Sequence, residues 1–366
     1  MTDLMTNPMT DLVTSRWMDS AALAPAGTFD GRYFCTTVAW ARAWESVRSE
    51  QVREFRHLAL EGGPTAELVP YYLVDHSPLW QTYEENAGMP PVWTGPVVYS
   101  STLHGEHGGA GGSSPEYIAH AVDMGLEQTA QWGAEALVFG NLTPKDVEAW
   151  SAVRPFDTAV LLDKKYESPL GDSGSAFFGG MRSKVRREFV RQWRRAVDRG
   201  VKLRTLSGEE MLPYLADFTR LAVGTSVAHG DLDRLYGADI FHNLMSVPGA
   251  VLLVAEHEGQ MVGAFYCFLY RDRFAMMSAG LDYEKLNELN TYAFLMYESA
   301  RYAITNGAAI LDPGRCNFAY KNRHGFRGTE LRVVVYLPEA RPDLVDALER
   351  MNKGMHEYIA RQEGSE

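Results

Sequence analysis

The chain has 366 residues, of which 46% are hydrophobic and 22% charged, and its formal net charge is −12. That length outgrows one small core and favours two domains, while the balance of residues is that of an ordinary globular protein. The acidic charge excludes an indiscriminate nucleic-acid binder but leaves room for a local basic patch. No apolar run approaches the roughly 18 to 20 residues of a membrane span. Cys35, Cys267 and Cys316 stand far apart with no Cys or His at metal-ligand spacing. This fits a reduced cytoplasmic compartment, with neither a disulfide frame nor a metal expected.

Residues 1–28 read as a flexible leader with Met at 1, 5, 9 and 18, lacking the basic start and continuous apolar segment of a secretory signal. The stretch TTVAWARAWESVR (36–48) predicts a helix with Ala39, Trp40, Ala43 and Trp44 on one side. Strands are predicted at 56–60 and 68–74 around the turn 61–64, and a Pro/Trp/Gly-rich link over 90–99 leads into a short strand at 97–99. His104 and His107 sit three apart in the next segment, but the glycines around them make it a loop, and no third ligand stands nearby. The glycine run 108–112 lacks the Gly-Lys-Ser/Thr ending of a nucleotide loop and reads as a flexible lip of a cleft. Ser113, Ser114, Pro115 and Glu116 predict a helix start; that helix runs to about 131, stops at Gly133, and hands over to a strand at 135–139.

The second half repeats this order. A long helix is predicted over 177–199, with Val185, Phe189, Trp193 and Val197 at four-residue spacing, and a second over 210–223. Strands at 250–256 and 260–270 flank an easy hairpin turn, a third follows at 274–279, and a helix over 290–305 ends at Gly307 before a strand at 309–311. The run WGAEALVFG (132–140) lines up with NGAAILDPG (306–314), each after a helix of similar length, which marks an internal duplication. The copies are unequal. Val138 and Phe139 of the first are replaced by Asp312 and Pro313 in the second, followed by Arg315, Tyr320, Lys321, Arg323 and His324 before a strand at 331–337. A loop over 311–328 that gathers a carboxylate, several cations, a phenol and a histidine reads as a catalytic loop; the bland alternative is a solvated turn.

Phe34, Thr37 and Trp40, the run MRSKVRR (181–187) and the run YKNRHGF (320–326), set in two helix–sheet–helix halves, resemble the Fem-like, tandem acetyltransferase-fold proteins. That family includes aminoacyl-tRNA-dependent transferases of peptidoglycan bridges and relatives in natural-product pathways. The resemblance spans about residues 30–340 and implies an α/β (α+β) protein of two tandem acetyltransferase-like (GNAT) domains, with mixed sheets flanked by helices. On this reading the leader is 1–28, the acceptor-side domain 29–165, the donor-side domain with the catalytic loop 166–345, and a C-terminal helix 346–366. Sustained heptads of the helical arm of cell-wall members are missing, which favours a small-molecule acceptor over a cell-wall precursor. Ordinary acetyltransferases hold the coenzyme A pyrophosphate on a Gly-rich loop at a helix start; here that place reads LDYEKLNEL (281–289), with three acids and no glycine.

The resemblance therefore implies a cytoplasmic aminoacyl-tRNA-dependent aminoacyltransferase, without cofactor, that forms an amide (or ester) on a small amine acceptor in secondary metabolism. An acyl-coenzyme A N-acyltransferase of the same fold is the alternative, and a non-catalytic peptidoglycan-recognition or scaffold protein the third. Arg182, Lys184, Arg186, Arg187, Arg191, Arg194 and Arg195 crowd one predicted helix and are expected, with Arg315, to meet tRNA phosphates; the bland alternative is a solvated face. Neutralising about five phosphates gives a log–log salt slope of roughly −3.5 to −4.5. Lys321 and Arg323 are the expected oxyanion or phosphate donors, Tyr320 a proton carrier or a surface for the terminal adenine, and Asp312 the holder of the acceptor ammonium or the acceptor of its proton. Gly325 and Gly328 would admit substrate to the backbone. Tyr71, Trp93, Tyr99 and His104 are the expected acceptor walls, although aromatics at strand positions are more often core.

Overall fold

The computed structural model describes residues 13–25, 28–29, 31–47, 51–62, 66–108, 114–230 and 236–364. The first half contributes β1 (Thr14–Met18), β2 (Val52–Glu61), β3 (Glu67–Val74), β4 (Val97–Ser100), β5 (Leu137–Leu142) and β6 (Thr158–Pro169). The second contributes β7 (Lys202–Ser207), β8 (Ala250–His257), β9 (Gln260–Tyr270), β10 (Arg273–Leu281), β11 (Ile310–Gly314) and β12 (Arg327–Tyr336). All join one mixed sheet in the order β1-β2-β3-β4-β5-β12-β6-β11-β10-β9-β8-β7.

Adding six to each strand number maps one half of this order onto the other. The pairs β4–β5 and β10–β11 are parallel, and the corresponding hairpins in both halves are antiparallel. The last strand of each half has crossed over: β12 pairs with β5, β6 pairs with β11, and β6 and β12 pair with each other at the centre. The duplication read from 132–140 and 306–314 is thus carried by the whole sheet. Gly133 (φ 64°) and Gly307 (φ 77°) do the same work in both copies, ending a helix in the left-handed conformation that glycine adopts without strain.

Helices cover the sheet: α1 (Val38–Trp44), α2 (Pro78–Asn86), α3 (Pro115–Trp132), α4 (Pro144–Val153), α5 (Ser175–Gly180) and α6 (Ser183–Asp198). They continue with α7 (Leu212–Ala228), α8 (Ala238–Leu244), α9 (Leu286–Leu289), α10 (Thr291–Thr305), α11 (Phe318–Arg323) and α12 (Pro342–Gly364). Ser114 starts α3 as read, its hydroxyl accepting from Tyr117 N at 3.1 Å, and Thr37 caps α1 in the same way. The apolar runs of β8 and β9 are buried nearly throughout, as strands covered on both faces must be. One core cluster joins the halves, with Phe34 of the first stacked on Phe268 of the second at 4.3 Å. Among the described residues no helix is long and apolar enough to cross a membrane.

Several expectations need correction. The leader is not uniformly loose, because Thr14–Met18 forms β1 on the edge of β2 and Arg56 lies over the Trp17 ring. The helix expected over 177–199 breaks at Met181 into α5 and α6, since Gly179 and Gly180 weaken its interior and Met181 is extended (φ −80°, ψ 139°). Val197 is accordingly 44% exposed rather than part of the buried row. The loop 311–328 is mostly ordered structure, with Asp312 to Gly314 inside β11 and a helical turn, α11, beyond. The C-terminal helix begins at Pro342 and packs on β6, where Asn352 Oδ1 accepts from Leu161 N at 2.8 Å.

Candidate active site

β10 and β11 pair only over 273–275 and 310–312. Beyond that point β10 carries a bulge between Met276 and Ser278, and the register of β11 on β6 shifts between Leu311 and Gly314. A bulge bends a strand and frees it from its neighbour. The two strands part, and a cavity of about 390 Å³ fills the gap, walled by β10, β6, the turn after β11, α7 and α12. Its size lies within the roughly 300–1,000 Å³ of ligand sites.

One wall is polar and is built from both halves. The turn reverses through Gly314 (φ 69°), Cys316 (φ 60°) and Asn317 (φ 50°). A Cβ on Gly314 would lie 2.8 Å from Met276 O, so only glycine lets the turn pass β10. This geometry drives Arg315 into the interior, where Nε meets Glu106 Oε2 at 3.2 Å and Nη1 donates to Tyr83 OH at 2.8 Å. Its Nη2 donates to Asn141 Oδ1 at 2.6 Å and to Gly105 O. Lys321 reaches back from α11, with Nζ donating to Gly314 O at 3.0 Å and to Arg315 O. Asp163 of β6 accepts Lys164 N–H on Oδ1 at 2.6 Å and faces the Cys316 thiol with Oδ2 at 3.7 Å.

Burial sets the electrostatics of this wall. It pushes the Glu106 and Asp163 carboxyls above the ordinary carboxylate range, with Arg315 opposing the shift in both. It pushes the Lys321 ammonium below its ordinary value, against the pull of the nearby acids. Ser278 borders the cavity with a buried hydroxyl that has no hydrogen-bond partner among the described residues.

A second network lies behind the wall. Asp312, fully buried, accepts Gly314 N–H at 3.0 Å and pairs with Arg273 at 2.9 Å, and Arg273 also reaches Glu167 at 3.0 Å. Lys165 approaches the His107 ring at 3.2 Å, and that ring stacks on Tyr33 with centroids 3.5 Å apart. Desolvation, reinforced by Lys165, holds His107 well below the usual histidine range.

A second cavity of about 250 Å³ adjoins the first, and both are bordered by His229, Leu281, Tyr292 and Asn317. Tyr283, Tyr292 and Tyr320 face it, as do Asn290 and Ala293 at the start of α10 and Gln192 on α6. α6 packs inward through Phe189, Ala196 and Trp193, whose Nε1 donates to Glu298 at 2.7 Å. Its arginines point outward: Arg186, Arg187, Arg191, Arg194 and Arg195 are exposed, as are Arg182 and Lys184 at its start. Arg191 pairs with Glu188, and Arg186 Nη1 donates to Phe178 O at 3.3 Å.

The expected site residues are therefore divided. Arg315, Lys321 and His104 border the first cavity, His104 stacked on Trp44 at 4.8 Å, and Tyr320 borders the second. Arg315 and Lys321 are consumed by protein partners and hold the turn, so neither stands ready for a phosphate. Asp312 is sealed behind the wall by Arg273, and Arg323 is exposed with its guanidinium over the Tyr320 ring, outside both cavities. Tyr71 is core, its hydroxyl donating to Ala121 O at 2.6 Å, while Trp93 and Tyr99 border a separate recess of about 40 Å³ with Trp80. Gly325 and Gly328 serve packing against Gly180 O and the Tyr166 ring, not substrate. Of the glycine run only Gly108 is described; 109–112 lie outside the described residues. Glu106, Asp163, Cys316 and Tyr83 went unread. Glu106 lay inside the His-Gly-Glu-His segment, weighed only for metal, and Asp163 sits in a strand whose charged run DKK hides its β pattern.

Residues 183–322 match the family described as acetyltransferase (GNAT) domain. Among curated proteins none matches the chain in sequence. Similar solved structures include FemX, with TM-score 0.55 and 11% identity over 81% of this chain and 90% of that one. A tandem GNAT protein from the clavulanic acid biosynthesis pathway has TM-score 0.50 and 10% identity over 90% and 100%. L-PGS from Bacillus licheniformis has TM-score 0.50 and 12% identity over 78% and 86%. The fold is thus that of tandem GNAT proteins, and its second half carries the match to an acetyltransferase (GNAT) domain. The matched acetyltransferase domain is the half whose strands part around the cavity.

Proposed function

We propose that the protein transfers an aminoacyl group from aminoacyl-tRNA to a small amine acceptor, forming an amide, with 166–345 as the donor side and 29–165 as the acceptor side. One observation carries this reading. The helix α6, which carries the exposed arginines, borders through its Gln192 a cavity that adjoins the polar-walled cavity between β10 and β11. An RNA end laid on that face has phosphate partners outside and three tyrosines inside on which a terminal base can stack. The approach to α10 supports the same donor, because Asp282, Glu284 and Glu288 stand where a pyrophosphate would need bare backbone.

The chemistry asked of the site is modest, since an aminoacyl ester is already activated. The amine attacks the ester carbonyl, a carboxylate takes the amine proton, and the ribose hydroxyl leaves protonated. Asp163, whose pKa burial raises above the ordinary carboxylate range, suits the proton acceptor, and the Ser278 hydroxyl suits a donor to the oxyanion. Such chemistry belongs where charged tRNA is found, in the cytoplasm, and likeness to a tandem GNAT protein of clavulanic acid biosynthesis supports a role in secondary metabolism. The second reading, an acyl-coenzyme A N-acyltransferase, is favoured by the acetyltransferase domain match. Labelled, charged total tRNA offered with a panel of amines, with and without ribonuclease, decides between them. Ribonuclease-sensitive label transfer is the expected result; turnover with acyl-coenzyme A alone overturns it.

A further inference from the structure

We infer that the group transferred is an amino acid with an apolar side chain and a free α-ammonium, the side chain lying along β10 and the ammonium held by Glu106 and Asp163. This rests on the aminoacyl-tRNA reading and names the residue that the first cavity accepts.

The cavity is sharply two-sided. Phe265, Met276, Met277, Met296, Leu281 and Ala222 make one side largely apolar, broken by the hydroxyls of Thr225, Ser226 and Ser278. Three methionines give it a surface that adjusts to shape yet offers no strong hydrogen-bond acceptor to a charged side chain. A carboxylate or ammonium placed against these residues would lose its hydration and meet no opposite charge there, which proteins avoid.

The opposite side holds two acids and two bases in unequal states. Both bases are satisfied by protein: Arg315 by Glu106, Tyr83, Asn141 and Gly105 O, and Lys321 by Gly314 O and Arg315 O. The acids retain capacity, since each carboxylate accepts at about four lone-pair positions. Asp163 spends one oxygen on Lys164 N–H and, among the described residues, meets a thiol, a weak donor, at 3.7 Å with the other. Glu106 places Oε2 on Arg315 while bordering the same cavity. Burial disfavours the charge on both carboxyls, and a further cation beside them would offset that cost. An α-ammonium is that cation, and it sits one bond from the carbon bearing the side chain. A single aminoacyl group thus spans both walls, whereas a fatty or acetyl group leaves the acids without a cation.

The test uses charged tRNAs and the intact protein. Transfer from Met-, Leu- and Phe-tRNA is compared with transfer from Asp-, Glu-, Lys- and Arg-tRNA, and methionyl initiator tRNA with the same tRNA after N-formylation. The apolar residues should be transferred with kcat/KM at least about 100-fold above the charged ones, and formylation should cost a similar factor. Asp163→Asn should slow both transfers, because the proton acceptor is lost, and should also shrink the Met-to-formyl-Met ratio about tenfold, because the ammonium loses one of its holders; where this variant melts early, the ratio in the unaltered protein decides alone. Equal use of charged side chains, or of formyl-Met, overturns the inference while leaving the tRNA donor intact. Absence of transfer from every charged tRNA overturns the donor reading and this one with it.

Discussion

The two parallel strand pairs, β4–β5 and β10–β11, occupy matching places in the sheet and are put to opposite uses. In the second half the connection 282–290 runs directly to α10, and the strands part around the 390 Å³ cavity. In the first half the chain after β4 folds back over the end of β5. Asn141 Nδ2 donates to Thr102 O at 2.7 Å, and a Cβ on Gly140 would stand 3.0 Å from Leu103. A Cβ on Gly108 would fall 1.9 Å from Gly140 O, so backbone lies on backbone there. The matching place in the first half is filled by its own residues, and these supply Leu103, His104 and Glu106 as walls of the cavity in the second. The copies meet at Asn141 and Arg315, each the residue after its matching glycine, bonded at 2.6 Å.

Breaking that junction should have the largest effect. Arg315→Ala leaves Glu106 buried without its partner and should cost about 3–5 kcal/mol in denaturant unfolding; a loss below about 1 kcal/mol would show that the filling residues hold themselves. Filling the open cleft should separate activity from stability. Ala279→Trp projects an indole into the cavity and should lower kcat/KM by about 100-fold, since small misplacements of substrate carry such factors. Its melting temperature should stay close to that of the unaltered protein. Equal losses in both measurements would mean that the cavity is packing space.

A smaller effect is expected outside the cleft. Arg191, Arg194 and Arg195 changed together to Ala should raise KM for charged tRNA about tenfold and flatten the log–log salt slope by roughly 2 to 3. Unchanged salt dependence would return α6 to a merely solvated face. The smallest effect concerns His324, whose Nδ1–H donates to Tyr320 O at 2.7 Å and whose pKa burial lowers to about 4. Below the ordinary histidine pKa of about 6.5 the unfolded chain binds a proton that the native ring refuses. Stability should therefore fall as pH drops from about 6.5 towards 4, and His324→Gln should flatten the melting-temperature profile across that window. An unchanged profile would place the acid sensitivity elsewhere, with His107 next in line.

Much of the frame was legible because it is local. Gly133 and Gly307, the Ser114 cap and the hairpin around 257–259 announce themselves through conformations that few other residues adopt. The repeat followed from the glycine-flanked apolar strands β5 and β11. Strand exchange was not legible, since nothing near 158–169 or 327–336 states which half each strand will join. The site was read by residue type, and type is blind to direction. Asp312 and Arg323 carry the right groups, yet β11 turns one inward onto Arg273 and α11 turns the other out to solvent. Glu106 and Asp163 come from segments far from the polar loop in sequence, so only the folded sheet brings them to Arg315.

The crossover of β6 and β12 has a consequence for how such a chain arose and how it assembles. Neither half completes its own sheet: β5 waits for a strand nearly two hundred positions later in the chain, and β11 takes one made long before it. A single copy would either pair its last strand with its own β5 or trade it with a second copy, and the traded arrangement, joined end to end, is the topology of this chain. Separate halves should be insoluble alone and recover a folded complex when produced together, and the intact chain should fold slowly, because its central pairing waits for the last strand.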